Sequence, residues 1–163
     1  INKLLTYYSS DNLIASKTRF PLADLISEIN QIVNANNEAE IVTDFDENLE
    51  IITDRTALSQ ILINIISNGI KYNTTDKPII KITNNIVNLK SNISISDNGI
   101  GIDTQNFEAI FQNNKTLSKK DRYGNYGTGL GLSIVKNLTQ KINFDIKVTS
   151  EIGKGSIFTL MEK

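Results

Sequence analysis

Apolar residues recur at intervals of three and four along four stretches of the chain, which is the spacing of an amphipathic helix. These stretches lie at residues 1–8, 22–33, 58–70 and 130–142. The first stops at a polar cluster, residues 9–12, and is predicted to be the tail of a helix that begins upstream. Pro21 precedes the second stretch, where a proline in the first turn is tolerated. Asp54 or Thr53 is placed to cap the third helix.

Shorter apolar runs, bounded by turn-forming residues, predict strands between these helices. They cover residues 40–45, 49–53, 78–83, 92–97, 145–150 and 156–161. A short helix is predicted at 104–111. The polar segment that follows, 112–128, is long for a loop inside a compact domain, which is typical of a functional segment. Helices and strands mix without strict alternation, which favours an α+β fold: a two-layer α/β sandwich with a mixed sheet.

The composition is that of an ordinary globular domain, but it excludes several kinds of chemistry. The 163 residues include no cysteine and no histidine, so a disulfide, a thiolate metal site or a histidine base within this chain is excluded. The formal net charge of −1 gives no electrostatic reason to expect nucleic acid as a partner. No apolar run approaches the roughly 18 residues of a membrane span, so we expect a cytoplasmic domain.

A polar stripe follows one face of the third predicted helix. Gln60, Asn64, Asn68 and Lys71 are separated by four, four and three residues and so lie opposite the apolar face. Asparagine is unfavourable inside a helix because its amide competes for backbone partners. Its carbonyl oxygen suits a Mg²⁺ ion already held by phosphates and water, and a lysine nearby adds charge for the phosphates. A solvated helix face is the alternative interpretation.

A turn with two glycines, Asp97-Asn98-Gly99-Ile100-Gly101, ends the fourth predicted strand. Glycines two residues apart let the backbone approach a flat ligand closely or adopt a positive φ. A carboxylate there would accept a hydrogen bond from the exocyclic amine of adenine, whereas guanine presents a carbonyl at that position. Asp97 would therefore select ATP over GTP. An Asp-Asn-Gly turn without a special function is the alternative.

A second glycine-rich segment leads into the last predicted helix. Its residues are Gly127, Thr128, Gly129, Leu130 and Gly131. Such a helix start exposes unpaired N–H groups and the positive end of the helix dipole, which favour phosphate. The spacing matches neither the dinucleotide fingerprint nor the Walker loop. The basic loop before it is typical of a lid that closes over a nucleotide. A flexible hinge and a solvated charge run are the alternatives.

Together these motifs resemble one family, the sensor histidine kinases of two-component signalling. Residues 64–72, 97–101 and 127–132 are similar to its N, G1 and G2 boxes, and residues 153–156 to its final glycine turn. Their order and separations match, and the resemblance covers nearly the whole chain from Leu22 onward. It implies the Bergerat-type ATP-binding fold shared with gyrase, heat-shock chaperone and mismatch-repair ATPases, in which helices cover one face of a mixed sheet.

The resemblance also implies roles for single residues. Asn68 would coordinate Mg²⁺, and Asn64 and Lys71 would act at the triphosphate as catalytic residues. Tyr72 would contact the sugar or base, and Asp97 the adenine amine. Residues that shape the pocket or the lid complete the implied ATP site: Gly99, Gly101, Arg122, Gly127, Thr128, Gly129, Leu130 and Gly131. Lys119 and Lys120 are alternatives to Arg122 for the phosphate contact of the lid.

Asn64 separates two branches of the superfamily. The hydrolysing relatives have a glutamate there as general base for water, so asparagine favours transfer of the γ-phosphoryl group to an external nucleophile. The resemblance implies a histidine on dimerisation helices, whose end we expect at 1–12, ahead of a catalytic domain at 13–163. A degenerate module that binds nucleotide or partners without transfer is the alternative, and Asn64 disfavours an ATP-hydrolysing relative.

The expected partners follow from the same resemblance. They are the histidine phosphotransfer domain of the same protein and, through the full-length kinase, a response regulator. We expect a homodimer for the full-length protein and a monomer for this chain alone.

Two positions depart from the family pattern. Gly69 replaces the usual alanine after the Mg²⁺-binding asparagine, and we expect it to loosen the helix slightly. Phe111 retains the first position of the Phe-x-x-Phe box, but Asn114 occupies the second, so the packing of the lid is expected to differ.

Overall fold

Helices and a sheet form two layers in the computed structural model, which describes residues 16–88, 90–117 and 119–163. The strands are β1 (Lys17–Pro21), β2 (Glu40–Asp44), β3 (Glu50–Asp54), β4 (Ile79–Val87), β5 (Lys90–Asp97), β6 (Phe144–Glu151) and β7 (Gly155–Glu162). The helices are α1 (Leu22–Val33), α2 (Arg55–Lys71) and α3 (Gly131–Lys141). The helix predicted at 1–8 and its linker at 9–12 lie outside the described residues.

The larger sheet is mixed and has the strand order β2-β4-β5-β7-β6. β2 runs parallel to β4, and the remaining neighbours are antiparallel. Alternation of apolar and polar residues along the strands leaves one face apolar, and a row of paired residues crosses it: Ile82, Ile95, Phe158 and Val148. All four side chains are buried. The mixed sheet and the α+β class predicted from the sequence are confirmed.

Helix α2 lies at the centre of the core. Asp54 is its N-cap, because the carboxylate accepts a hydrogen bond from the Ala57 N–H at 3.0 Å; such caps contribute about 1 kcal/mol. The apolar face predicted for this helix is buried, with no member more than 3% exposed: Leu58, Ile61, Leu62, Ile65, Ile66 and Ile70. The opposite face of α2 is left for the cavity described below.

Two local predictions were wrong. The segment predicted as a helix at 104–111 forms two short 3₁₀ helices, Thr104–Asn106 and Ala109–Phe111. The Asp103 carboxylate caps the first of them by accepting from Gln105 N–H at 3.0 Å. Bonds from residue i to i+3 then wind the chain more tightly than an α-helix.

Pro21 does not lie in the first turn of α1. It is the last residue of β1, with extended backbone angles, and the helix begins at Leu22. Strand β1, which pairs with β3 in a separate two-stranded sheet, was not predicted. Within the described ranges, none of the helices combines the length and apolar character needed to cross a bilayer.

Candidate functional site

A cavity of about 1130 Å³ opens between α2, the start of α3 and the loop at 112–130. Most of the predicted site residues line it: Asn64, Asn68, Lys71, Tyr72, Asp97, Gly101, Gly127, Thr128, Gly129, Leu130 and Gly131. Gly99 and Arg122 are not among the described residues that form its wall. Motifs that are distant in the sequence therefore meet around one space large enough for a nucleotide.

The two asparagines of α2 face the beginning of α3. A side-chain carbon added to Gly131 would lie 3.1 Å from Asn64 Oδ1 and 3.9 Å from Asn68 Nδ2. Asn64 Nδ2 donates to the Gln60 carbonyl at 2.8 Å, so the Asn64 Oδ1 atom faces α3. Both asparagines are half-buried, and Lys71, one turn further along, is exposed at the cavity. Two amides, one ammonium group and a helix start therefore share this end of the cavity.

The N-terminus of α3 has N–H groups to offer a ligand. Leu130 occupies the N-cap position, and no side chain in the described part of the protein caps the helix. Ser133, in the first turn, instead donates its hydroxyl hydrogen to the Leu130 carbonyl at 2.8 Å. The N–H groups of the first turn and the positive end of the helix dipole therefore favour an anion here.

The protein oxygen atoms beside α3 suit Mg²⁺ only if substrate phosphates supply further ligands to the ion. Among residues 16–88, 90–117 and 119–163, no group of three or more acidic, histidine or cysteine side chains is placed to hold a metal ion. Mg²⁺ is commonly bound by one or two protein oxygens together with water and substrate phosphates. The amide oxygen of Asn68 fits such a minimal protein contribution.

Asp97 lines the same cavity at the end of β5. Its Oδ1 accepts hydrogen bonds from the N–H of Gly99 at 2.8 Å and of Ser156 at 3.3 Å. Burial raises the pKa of this carboxyl, and the two backbone hydrogen bonds oppose that shift. Both bonds use Oδ1, so among the residues that the structure describes none donates to Oδ2, which can accept a hydrogen bond from a ligand.

Gly101 keeps the turn after Asp97 compact. Its φ of 71° lies in the left-handed region, and an added Cβ would collide with the carbonyl oxygen of Glu151. Gly99 is buried and donates to Asp97, so it shapes the site from behind without lining the cavity. The glycines of this turn thus hold the Asp97 carboxylate in place.

Tyr72 joins three parts of the site. Its carbonyl accepts from the Ile100 N–H at 3.1 Å, which connects the end of α2 to the turn after β5. Its hydroxyl lies where a side chain on Gly127 would be, so the loop passes close to the hydroxyl end of Tyr72. Burial, and secondarily the nearby Asp121, raises the pKa of Tyr72. The phenol is therefore neutral and able to donate to a ligand.

A hydrogen-bonded amide pair that the sequence analysis missed supports this region. Asn73 is 1% exposed and donates from Nδ2 to Asn98 Oδ1 at 2.7 Å. The same oxygen accepts from the Ile79 N–H at 2.8 Å, at the start of β4. Asn98 follows Asp97 directly, so the pair fixes the turn that presents the carboxylate.

Two hydrogen bonds are among the contacts that hold the loop between the 3₁₀ helices and α3 to the body of the protein. The Arg122 N–H donates to the Lys71 carbonyl at 2.8 Å, and the Tyr123 hydroxyl donates to the Glu38 carboxylate. This hydrogen bond is the largest cause that lowers the pKa of Glu38 and raises that of Tyr123. We call residues 112–130 the lid.

The basic residues of the lid divide between two surfaces. Lys115 and Lys119 line the cavity. Arg122 instead borders a small surface depression with Asn73, Thr74, Thr75 and Asp76. In this position of the lid, Lys115 and Lys119 lie beside the cavity, and Arg122 does not.

The lid packs without the second phenylalanine of the family pattern. Phe111 meets Phe158 edge to face, with ring centres 6.5 Å apart. Asn114 has a left-handed backbone (φ 59°), which asparagine tolerates better than most residues. Gly129 lies against this point, since an added Cβ would be 2.8 Å from the Asn114 carbonyl carbon and from the Lys115 nitrogen. Leu117 packs on the core from the lid.

Fold and site together define the class of catalytic domain found in sensor histidine kinases. The family described as histidine kinase-, DNA gyrase B-, and HSP90-like ATPase matches residues 53–162. The chain belongs to this family. The matched region includes α2, the turn after β5, the lid and α3.

Curated relatives with similar sequences are sensor proteins much longer than this chain. Autoinducer 2 sensor kinase/phosphatase LuxQ of Vibrio parahaemolyticus is 33% identical over 159 residues, covering 88% of this chain and 18% of the relative. Sensor protein BceS of Halalkalibacterium halodurans is 35% identical over 119 residues, covering 71% of this chain and 35% of the relative. The chain therefore spans about a third or less of these proteins.

Solved structures with the same fold include catalytic domains of histidine kinases. The catalytic domain of histidine kinase ThkA matches with a TM-score of 0.74 and 26% identity, covering 90% of this chain and 95% of that one. The mycobacterial sensor histidine kinase MprB matches with a TM-score of 0.76 and 18% identity, covering 90% and 97%. The two-layer fold implied by the sequence motifs is thereby confirmed.

Proposed function

We propose that this chain binds Mg²⁺–ATP and donates the γ-phosphoryl group to a histidine on a dimerisation domain. The observation that carries the proposal is that one cavity brings two kinds of groups together. A carboxylate suited to an adenine amine lines it, and so do two asparagines that face the N-terminus of α3, which no described side chain caps. Because this chain has no histidine, the acceptor must lie elsewhere.

Some of these residues would bind the nucleotide, and others would stabilise the transfer of its phosphoryl group. Asp97 would accept from the adenine amine, and Tyr72 would contact the sugar or base. Asn68 would hold Mg²⁺, which neutralises phosphate charge when bound. Lys71, the first turn of α3 and the lid lysines would stabilise the charge that develops on the phosphoryl oxygens.

Asn64 decides between transfer to a protein and transfer to water. It occupies the position where hydrolysing relatives have a glutamate base, and an amide does not deprotonate water. In the proposed step an imidazole nitrogen attacks the γ-phosphorus, a P–N bond forms and the bond to the β–γ bridging oxygen breaks. ADP leaves, and the imidazole loses a proton from its other nitrogen.

The wider setting of the proposal is a two-component kinase. The histidine-bearing domain of the same protein would be the direct partner, and a response regulator would receive the phosphoryl group from it. The full-length protein would be a homodimer, with this chain alone a monomer, acting in the cytoplasm, which supplies ATP.

The test combines this chain with the histidine-bearing helices of its parent protein and γ-labelled ATP. We expect an acid-labile, alkali-stable phosphohistidine that requires Mg²⁺ and is lost in Asn68→Ala. Binding of ATP without labelled histidine would favour the degenerate module. Steady-state hydrolysis by this chain alone would favour the hydrolysing branch, and absence of ATP binding would refute the proposal.

A further inference from the structure

A network of side-chain hydrogen bonds connects the end of α2 to the turn after β5. At its centre is Asn73, which is 1% exposed. Its Nδ2 donates to Asn98 Oδ1 at 2.7 Å, and that oxygen also accepts from the Ile79 N–H at 2.8 Å. The Asn73 Oδ1 atom accepts from the Thr75 N–H at 2.9 Å and from the Thr75 hydroxyl at 2.6 Å. Both polar atoms of the Asn73 side chain therefore have partners.

Backbone groups at the two ends of this network fix the direction of its bonds. An N–H group can only donate, so the atoms that accept from Thr75 and Ile79 must be the amide oxygens of the two asparagines. The nitrogen of Asn73 then faces the oxygen of Asn98 and is the donor between the two side chains. The pair is therefore not symmetric: position 73 requires a donor, and position 98 requires an acceptor.

Asn98 connects this network to the residue proposed to bind the base, because it directly follows Asp97. A second bond holds the same turn, since the Ile100 N–H donates to the Tyr72 carbonyl at 3.1 Å. Neither Asn73 nor Asn98 is among the described residues that line the cavity. An effect of the pair on a ligand in the cavity would therefore pass through Asp97.

We propose that Asn73 is a positioning residue for the purine base: by donating to Asn98, it holds the turn that presents the Asp97 carboxylate to the 6-amino group. This inference rests on the proposed function, in which Asp97 makes that contact. A hydrogen bond weakens steeply when its angle departs from linearity. A turn released from Asn73 would present the carboxylate in several orientations, so recognition of the amine is weakened.

The test uses two substitutions of the same shape and the same added charge. In Asn73→Asp the carboxylate still accepts from Thr75 but cannot donate to Asn98, so two oxygens face each other and the bond is lost. In Asn98→Asp the carboxylate still accepts from Asn73 Nδ2 and from the Ile79 N–H, so the bond is kept. Each variant adds one negative charge, and the two positions are hydrogen-bonded neighbours. Asn98→Asp is therefore the matched control.

The measured quantity is the ratio of the affinities for Mg²⁺–ATP and Mg²⁺–inosine triphosphate, which has a carbonyl where ATP has the amine. Calorimetry is done at pH 8, far above the ordinary aspartate pKa of about 3.9. We expect this ratio to fall about three- to tenfold in Asn73→Asp and to stay within about twofold of wild type in Asn98→Asp. Partial unfolding would weaken the binding of both nucleotides by the same factor and leave the ratio unchanged.

An Asn73→Asp variant with the wild-type ratio overturns the inference. An equal fall in Asn98→Asp overturns it as well, because the added charge and not the lost bond would then be responsible. If Asn73→Asp fails to fold, Asn98→Ala removes the acceptor at a half-buried position. Its ratio should fall too, and an unchanged ratio would contradict the positioning role. Wild type that binds neither nucleotide refutes the proposed function instead.

Discussion

At the scale of single residues, the buried carboxyl of Asp97 connects the stability of the fold to the chemistry of the site. Burial raises its pKa, so between the ordinary and the raised value the folded chain binds more protons than the unfolded chain. Stability therefore falls as pH rises through that window. At neutral pH the ionised carboxylate destabilises the protein relative to a neutral side chain. An adenine amine donating to Oδ2 would offset part of this cost.

Asp97→Asn separates these two effects. The amide oxygen can still accept from Gly99 and Ser156, so we expect the free energy of unfolding in urea at pH 7 to be unchanged or higher by about 1 kcal/mol. The preference for ATP over GTP should fall tenfold or more, because an amide N–H₂ faces the base. Asp76→Asn, at an exposed loop position, serves as control. A clear loss of stability, or retained preference for ATP, would contradict the role assigned to Asp97.

At the scale of elements, hydrogen bonds at two places connect the described part of the lid to its neighbours. Its backbone is joined to α2 through Arg122 and Lys71, and its tip to the loop before β2 through Tyr123 and Glu38. The second contact is exposed and depends on one hydroxyl group. Segments held by exposed hydrogen bonds open locally without unfolding the core. We therefore expect the lid to leave this position more often when the Tyr123 hydroxyl is removed.

Tyr123→Phe removes that hydroxyl and keeps the ring. Amide hydrogen exchange across residues 119–128 should become several-fold faster, while the thermal midpoint of the whole domain stays within about 1 °C, because the contact lies at the surface. Tyr126→Phe is the matched control, since Phe preserves the ring beneath Lys120. Equal exchange in the two variants would show that the contact with Glu38 does not hold the lid.

At the scale of the whole molecule, the site exists only when distant segments are folded together. Asn64 and Asn68 of α2, Asp97 of β5, residues 127–131 and Ser156 of β7 line one cavity. A ligand that needs all of them binds the folded chain and not the unfolded one. Folding and binding are then linked by mass action.

Mg²⁺–ATP is therefore expected to stabilise the domain against heat. At a concentration one hundred times Kd, the gain is about 2.7 kcal/mol, measured as a rise in the thermal midpoint. Asn68→Ala should lose the part of the shift that depends on Mg²⁺. An equal shift with GTP, or the same shift after chelation of Mg²⁺, would argue against the proposed ligand contacts.

The sequence predicted best the features in which a local residue pattern also determines how the segment packs. The apolar face and cap of α2, and the glycine segments around the cavity, follow from spacing and turn chemistry. Strand β1 was missed because its residues, Lys17–Pro21, are mostly polar and pair only with β3. The Asn73–Asn98 pair joins residues 25 positions apart, a separation at which local pattern carries no information. Whether Arg122 lies beside the cavity or outside it depends on how the lid is attached to the body of the protein.

The double role of α2 has a genetic consequence. The helix belongs to the core on one face and to the cavity wall on the other, so loosening Ile65 or Ile66 is expected to move Asn64 and Asn68 as well. Trimming such a side chain to valine typically costs about 0.5–1.5 kcal/mol, too little to unfold a domain at moderate temperature. Conservative changes here should therefore give temperature-sensitive alleles, in which the proposed nucleotide binding is lost on warming although the protein persists in the cell.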